Sequence, residues 1–243
     1  MTGDRAPGAG DGQVTGSRRV HRSAPSAPAQ TIVLAEFSRL ACEVYKGLRD
    51  GTVDPEVTFD LACHLIEWAP YSEPAQRLAE QSMAGDDPGR LADLARQVLD
   101  SLGFEPDFEA EPRLLGQAEQ ALEAVRSDLR ADGLDGPDRL VVADGGYPRY
   151  LWADFRGTFA HGSGVTPADA RDPVRALVAV AADMQDAVMH AMTAVWPVCP
   201  AHGLGGHARE LERQAVWWCN GGPGGHVIAT IGQWPGDQPA HHR

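Results

Sequence analysis

No stretch of this chain approaches the roughly 18 consecutive apolar residues that a membrane-spanning helix requires. The arginine pair Arg18 and Arg19 is not followed by the apolar region of a secretory leader. Neither a membrane protein nor an exported one is expected, and the cytoplasm is the expected compartment. Four cysteines at unequal spacing do not make the disulfide framework of a small secreted domain. Cationic excess is missing as well: 21 Lys and Arg face 34 Asp and Glu, a formal net charge of -13. A chain so charged repels a phosphate backbone, so nucleic acid is not an expected partner.

Familiar catalytic signatures are also lacking. Gly162, Ser163 and Gly164 do not have the G-x-S-x-G spacing of a nucleophile elbow, so Ser163 reads as a loop serine and His161 has no evident partner. The glycines between 221 and 225 lack the Lys-Ser/Thr of a phosphate loop, and Pro223 among them has no amide to donate. H-E-x-x-H is absent. A zinc-deaminase pattern fails because Ala191 and Met192, not x-Glu, follow His190.

What is present divides unevenly. Residues 1–30 are rich in Gly, Ala, Ser and Pro, carry no aromatic residue and show no apolar period, which predicts a disordered tail; 235–243 reads the same way. Residues 31–136 hold 9 Lys and Arg against 22 Asp and Glu, so this acidic region carries the whole net charge. Its apolar residues recur at helical spacing: Val33, Phe37, Leu40, Val44 and Leu48; then Val57, Leu61, Leu65 and Trp68; then Leu91, Leu94, Val98 and Leu102. Asp54-Pro55 and Asp87-Pro88 read as N-cap and first-turn proline. A short helix is expected over Glu73 to Ser82, and a longer one from about Glu111 to Asp132. Cys42 and Cys63 fall within helical patterns and read as small packing residues.

Residues 137–234 mix the two periodicities. Arg139 to Asp144 and Tyr150 to Phe155 read as strands joined by a turn at Gly145 and Gly146, with a further short strand over Thr158 to His161. A helix opens at Asp172-Pro173 and buries Val174, Leu177, Ala181, Met184 and Val188. On it Asp183, Asp186 and His190 share a face, a spacing that suits a proton-transfer pair and equally a solvated surface. Three short strands follow: Ala208 to Glu212, Ala215 to Cys219, and Val227 to Ile231. The expected class is α+β, with a mainly helical acidic half and a C-terminal helix plus a small antiparallel, zinc-ribbon-like sheet.

The residues best suited to chemistry lie between Trp196 and Gly232. Cys199 and His202 flank Pro200 on a tight turn, with Gly203 at its exit. Cys219 ends a strand, and His226 follows a run of four glycines and a proline. The set reads C-x2-H, x16, C-x6-H, and two thiolates with two imidazoles suit tetrahedral zinc. His207 is an alternative to His226 as the fourth ligand. A metal-free reading also stands, in which Cys199 and Cys219 are small buried residues beside the tryptophans.

This stretch, with the helix before it, resembles a group of actinobacterial proteins that carry no assigned activity. Their pattern is a helix with a Gln-acid pair, here Gln185 and Asp186, then WPxCPxH, here Trp196 to His202. A W-x-C strand follows, Trp217 to Cys219, and an xVxAxIG ending, Val227 to Gly232. The resemblance covers roughly residues 172–234 and implies a shared C-terminal module. From these readings the expected function is a non-enzymatic interaction module stapled by zinc, with another protein as partner. Two alternatives remain open: an enzyme with an open zinc position and Asp183, Asp186 or His190 as base, and a metal-free module whose acidic helices bind a basic partner.

Overall fold

A computed structural model of the chain describes residues 27–236, apart from 86, 137, 143–148 and 160–161, with side chains from Ala35 onward. Residues 1–26 and 237–243 of the expected tails, the Gly145-Gly146 turn and His161 therefore lie outside the described residues, while helix begins at Ala27 and Gly236 is buried, both inside segments that composition assigns to the tails. The chain is α+β. Four helices, α1 (Ala27–Asp50), α2 (Pro55–Trp68), α3 (Glu73–Ala84) and α4 (Pro88–Ser101), precede α5 (Pro112–Ala131). The hairpin of β1 (Asp138–Val142) and β2 (Leu151–Phe155) follows, then α6 (Pro173–Met192) and a three-stranded sheet of β3 (Gly206–Leu211), β4 (Gln214–Cys219) and β5 (His226–Thr230).

The helix starts follow from local chemistry. Asp54 accepts a hydrogen bond from the Glu56 amide, Asp87 from that of Arg90, and Asp172 from those of Val174 and Arg175, each with proline in the first turn behind it. Each cap satisfies amides that no helical carbonyl can reach. Thr158 makes one isolated bridge to Phe155 instead of a strand, and Val165 bridges Leu151.

Two apolar cores form, and the division falls between α4 and α5. The first contains Leu40, Val44, Leu61, Leu78, Leu91 and Val98 from α1 to α4. The second gathers Leu122, Val125 and Leu129 of α5, Phe155 of β2, Val180, Met184 and Val188 of α6, and Trp217 of β4. Charge counting groups α5 with the acidic half, but its apolar face packs on α6, and packing decides where a helix sits. The cores meet where Tyr45 tilts against Phe104 and donates to Glu111, while Arg49 donates to the Ala110 carbonyl.

α6 is the centre of the second core. It packs on α5, on β2 and on β3, so both small sheets take their position from one helix. β3 and β4 are antiparallel with Gly206 opposite Cys219, and β5 adds to β4 with His226 opposite Cys219. Glu212 and Arg213 close the β3–β4 hairpin with φ of 50° and 64°, the paired left-handed conformation of a tight two-residue turn.

Candidate metal centre

Past α6 the chain forms a small knuckle. The Gly206 amide donates to the Pro197 carbonyl at 2.8 Å, and the Cys199 amide to that of Leu204 at 2.7 Å, so the arms on either side of the turn pair before β3 begins. At the tip the Gly203 amide donates to the Cys199 carbonyl at 2.8 Å, which folds His202 back beside Cys199. The base of the knuckle is held by α6: the buried Gln185 amide group donates to the carbonyls of Trp196 and Gly206, the two ends of the loop. Trp196 is held in turn by its indole N–H, which donates to Asp132 at 2.9 Å, and by edge-on packing against Trp217, 5.3 Å between ring centroids.

The sheet brings the other two residues to the same place. Cys219 ends β4 and faces Gly206 on one side and His226 on the other, so strand register alone sets both beside the knuckle. The return from Cys219 to His226 depends on Gly225, whose φ is 67°; a Cβ there would lie 2.7 Å from both the Cys219 carbonyl oxygen and the Trp218 ring.

One donor atom from each of Cys199, His202, Cys219 and His226 lies within 4.8 Å of all the others, a group that could hold a metal ion. Cys199 Sγ is 3.6 Å from His202 Nδ1 and 3.5 Å from His226 Nε2, and Cys219 Sγ is 3.6 Å from His202 Nδ1. A tetrahedral zinc with Zn–S of about 2.3 Å and Zn–N of about 2.05 Å has S···N edges of about 3.5–3.6 Å. The spacing therefore suits a tetrahedral ion of that size. Both cysteines are buried and unbridged, His226 is half-buried and His202 is exposed. The Gly221 amide points at Cys219 Sγ from 3.2 Å, the kind of outer hydrogen bond that orients a ligand.

Of the two histidines considered for the fourth position, His226 joins the group. His207 sits on β3 opposite Trp218, exposed and outside it.

The carboxylates of α6 are used differently. Asp183 is buried and accepts from the amides of Ala153 and Gly164, pinning β2 and the 162–165 loop to α6. Burial raises its carboxyl above the ordinary aspartate range, partly offset by those two amides. Asp183 and Asp186 both crowd Gly162, where a Cβ would lie 2.5 Å and 2.8 Å from their oxygens. Asp183 is two residues from Gln185, about 200° around the helix, so it faces away from the knuckle.

Asp128 is the residue that reading the sequence passed over. It stands on the inward face of α5, fully buried, and accepts from Trp217 Nε1 at 2.7 Å and from the amides of Gly232 and Trp234 at 2.8 Å each. Burial pushes its carboxyl upward, and the three donors pull it part of the way back. Its signal in the sequence is an acidic residue between Val125 and Leu129 on a stripe that is otherwise apolar. Asp128 holds β4 and the chain leaving β5 against α5, so the core under the candidate site is tied together by polar as well as apolar contacts.

Among the described residues no helix is long and apolar enough to cross a membrane. No protein-family model, curated protein or solved structure matches this chain.

Proposed function

We propose that Cys199, His202, Cys219 and His226 bind a structural zinc ion, and that the protein is a non-enzymatic cytoplasmic interaction module whose binding surface this zinc shapes. The carrying observation is the set of sulfur–nitrogen separations of 3.5–3.6 Å, which matches the edges of a tetrahedral Cys2His2 site. Four protein donors fill a tetrahedron and leave no position for substrate or water. The enzyme alternative is less well supported because Asp183 and Asp186 face Gly162 instead of the four ligands.

The interaction part of the reading is supported by what surrounds the knuckle. Met192, Val195, Val198 and Leu204 are exposed there. Trp234 lines a groove with Met192, Val195 and Val198, and among the described residues its buried indole N–H has no hydrogen-bond partner. Exposed apolar side chains gathered around a groove form a surface that another protein could cover.

Two measurements test the reading. Elemental analysis of protein purified without a metal-affinity tag should give one zinc per chain. A photo-crosslinker at Leu204 should trap a protein in cells and lose it when Cys199→Ser removes the metal. A crosslink that survives that substitution argues against a zinc-shaped surface.

A further inference from the structure

Three of the four candidate ligands are placed by paired backbone. Cys199 lies in the knuckle's hydrogen-bonded arm, Cys219 in the middle strand, and His226 opposite it at the start of β5. His202 is the exception. It is exposed at the tip of the turn, and its own amide reaches the Cys199 carbonyl only at 3.3 Å. What locates its ring is the residue across from it. A Cβ built on Gly221 would lie 2.5 Å from His202 Cγ, 2.6 Å from Nδ1 and 3.0 Å from Cβ. These atoms include the metal-facing nitrogen and the root of the side chain, so the ring cannot clear a methyl group by turning its far end. Gly221 is not among the glycines with left-handed φ, so its backbone would accept alanine. The requirement for glycine is one of space, directed at a single ligand.

We propose that Gly221 is the positioning residue that closes the metal site: its missing side chain admits His202 to the fourth coordination position, while its amide orients Cys219. This rests on the zinc reading above. The same residue then decides between a closed centre and an open one. With any side chain at 221, the ion loses His202 and keeps Cys199, Cys219 and His226, the three-ligand set of a catalytic or ligand-sensing zinc. Nearby Gly222 and Gly224 differ in kind, since a Cβ on Gly222 would meet the His202 ring only at an ordinary contact distance of 3.6 Å. Both have left-handed φ, and a Cβ on Gly224 would meet nothing within 4 Å, so substitution at 224 strains the loop without touching His202.

The test uses the full chain loaded with cobalt(II), whose visible absorption reports coordination number and ligand type. Wild type should show a four-coordinate spectrum that added imidazole leaves unchanged. Gly221→Ala should bind cobalt about 10–100-fold more weakly, the range expected when a residue that positions a ligand is lost. Its spectrum should be altered, and imidazole, whose ring would meet the same methyl group, should not restore it. His202→Ala should lose affinity to a similar degree but recover its spectrum when imidazole is added, the double variant should be no weaker than His202→Ala alone, and Gly224→Ala should keep the wild-type spectrum. Far-ultraviolet circular dichroism of each variant confirms that the helices are retained. An unchanged spectrum and affinity in Gly221→Ala, or additive losses in the double variant, would overturn the assignment. If wild type binds cobalt tightly yet these variants behave so, only this inference fails; if wild type takes up no cobalt, the zinc reading fails and carries this one with it.

Discussion

Replacing Asp128 by alanine would remove one side chain and orphan three donors. Trp217 Nε1 and the amides of Gly232 and Trp234 all end on its carboxylate, and the site is closed to solvent. Each buried donor left without a partner costs about 1–3 kcal/mol. Against that total stands relief of burying a carboxylate with no cation beside it, so the net loss should be about 3–5 kcal/mol. For a chain of this size that is a fall in melting temperature of roughly 6–20 °C. Asp128→Asn is milder. Its amide oxygen can keep the two donors that share Oδ2, Trp217 and Gly232, and its NH2 then turns toward the Trp234 amide, for a loss of about 1–2 kcal/mol.

The pH dependence follows from the same burial. The Asp128 carboxyl is raised in the folded protein above its ordinary value of 3.8. The unfolded chain therefore gives up this proton at lower pH than the folded one does. Its contribution to stability is fully present below the unfolded value and declines as pH rises through the folded value. The stability difference between wild type and Asp128→Asn should accordingly narrow as pH climbs from about 3.8 toward neutrality. Taking the difference cancels the same-signed titration of Asp183. Urea titrations at several pH values, read by tryptophan fluorescence, measure this directly. An Asp128→Ala protein within about 1 kcal/mol of wild type, or a difference that widens with pH, would refute the reasoning.

Other substitutions test the site itself. Cys199→Ser or Cys219→Ser should lower metal content and melting temperature together. Cys42→Ser and Cys63→Ser should leave metal content unchanged, since Cys42 is buried on α1, with its thiol pushed up to about 12 by burial, and Cys63 lies exposed on α2. Gln185→Ala should free the two ends of the knuckle, cost about 1–3 kcal/mol through the unsatisfied carbonyls, and weaken metal binding without removing a ligand; unchanged affinity would mean the knuckle holds its own shape. Labelled duplex or single-stranded nucleic acid should not bind at physiological salt, given the net charge of -13. Tight, salt-sensitive binding in a titration would contradict this and reveal a local basic patch.

Much of this architecture was legible because it follows from local rules. Aspartate before proline marks the starts of α2, α4 and α6, and each cap forms. The C-x2-H turn and the strand ending in Cys219 needed only turn and strand chemistry, and the four residues they nominate do converge. Two features were not legible. The allegiance of α5 depends on which core covers its apolar face, a long-range fact that charge counting along the chain does not contain. The roles of Asp128, Gln185 and Gly221 depend on partners distant in sequence or on the space left by a missing atom. Gln185 reads in the sequence only as half of a Gln-acid pair, and its purpose appears only when Trp196 and Gly206 are seen at either end of the knuckle.

The central claim is that one tetrahedral zinc, held by four protein ligands, orders the C-terminal module. Its most direct test is a pair of melting curves on the same preparation, before and after chelation, with zinc counted in each. The account predicts one zinc per chain before chelation, none after, and a lower melting temperature with altered fluorescence from Trp196 and Trp217, which sit beneath the knuckle. Zinc-free protein at purification, or chelated protein that melts and fluoresces as before, would contradict it.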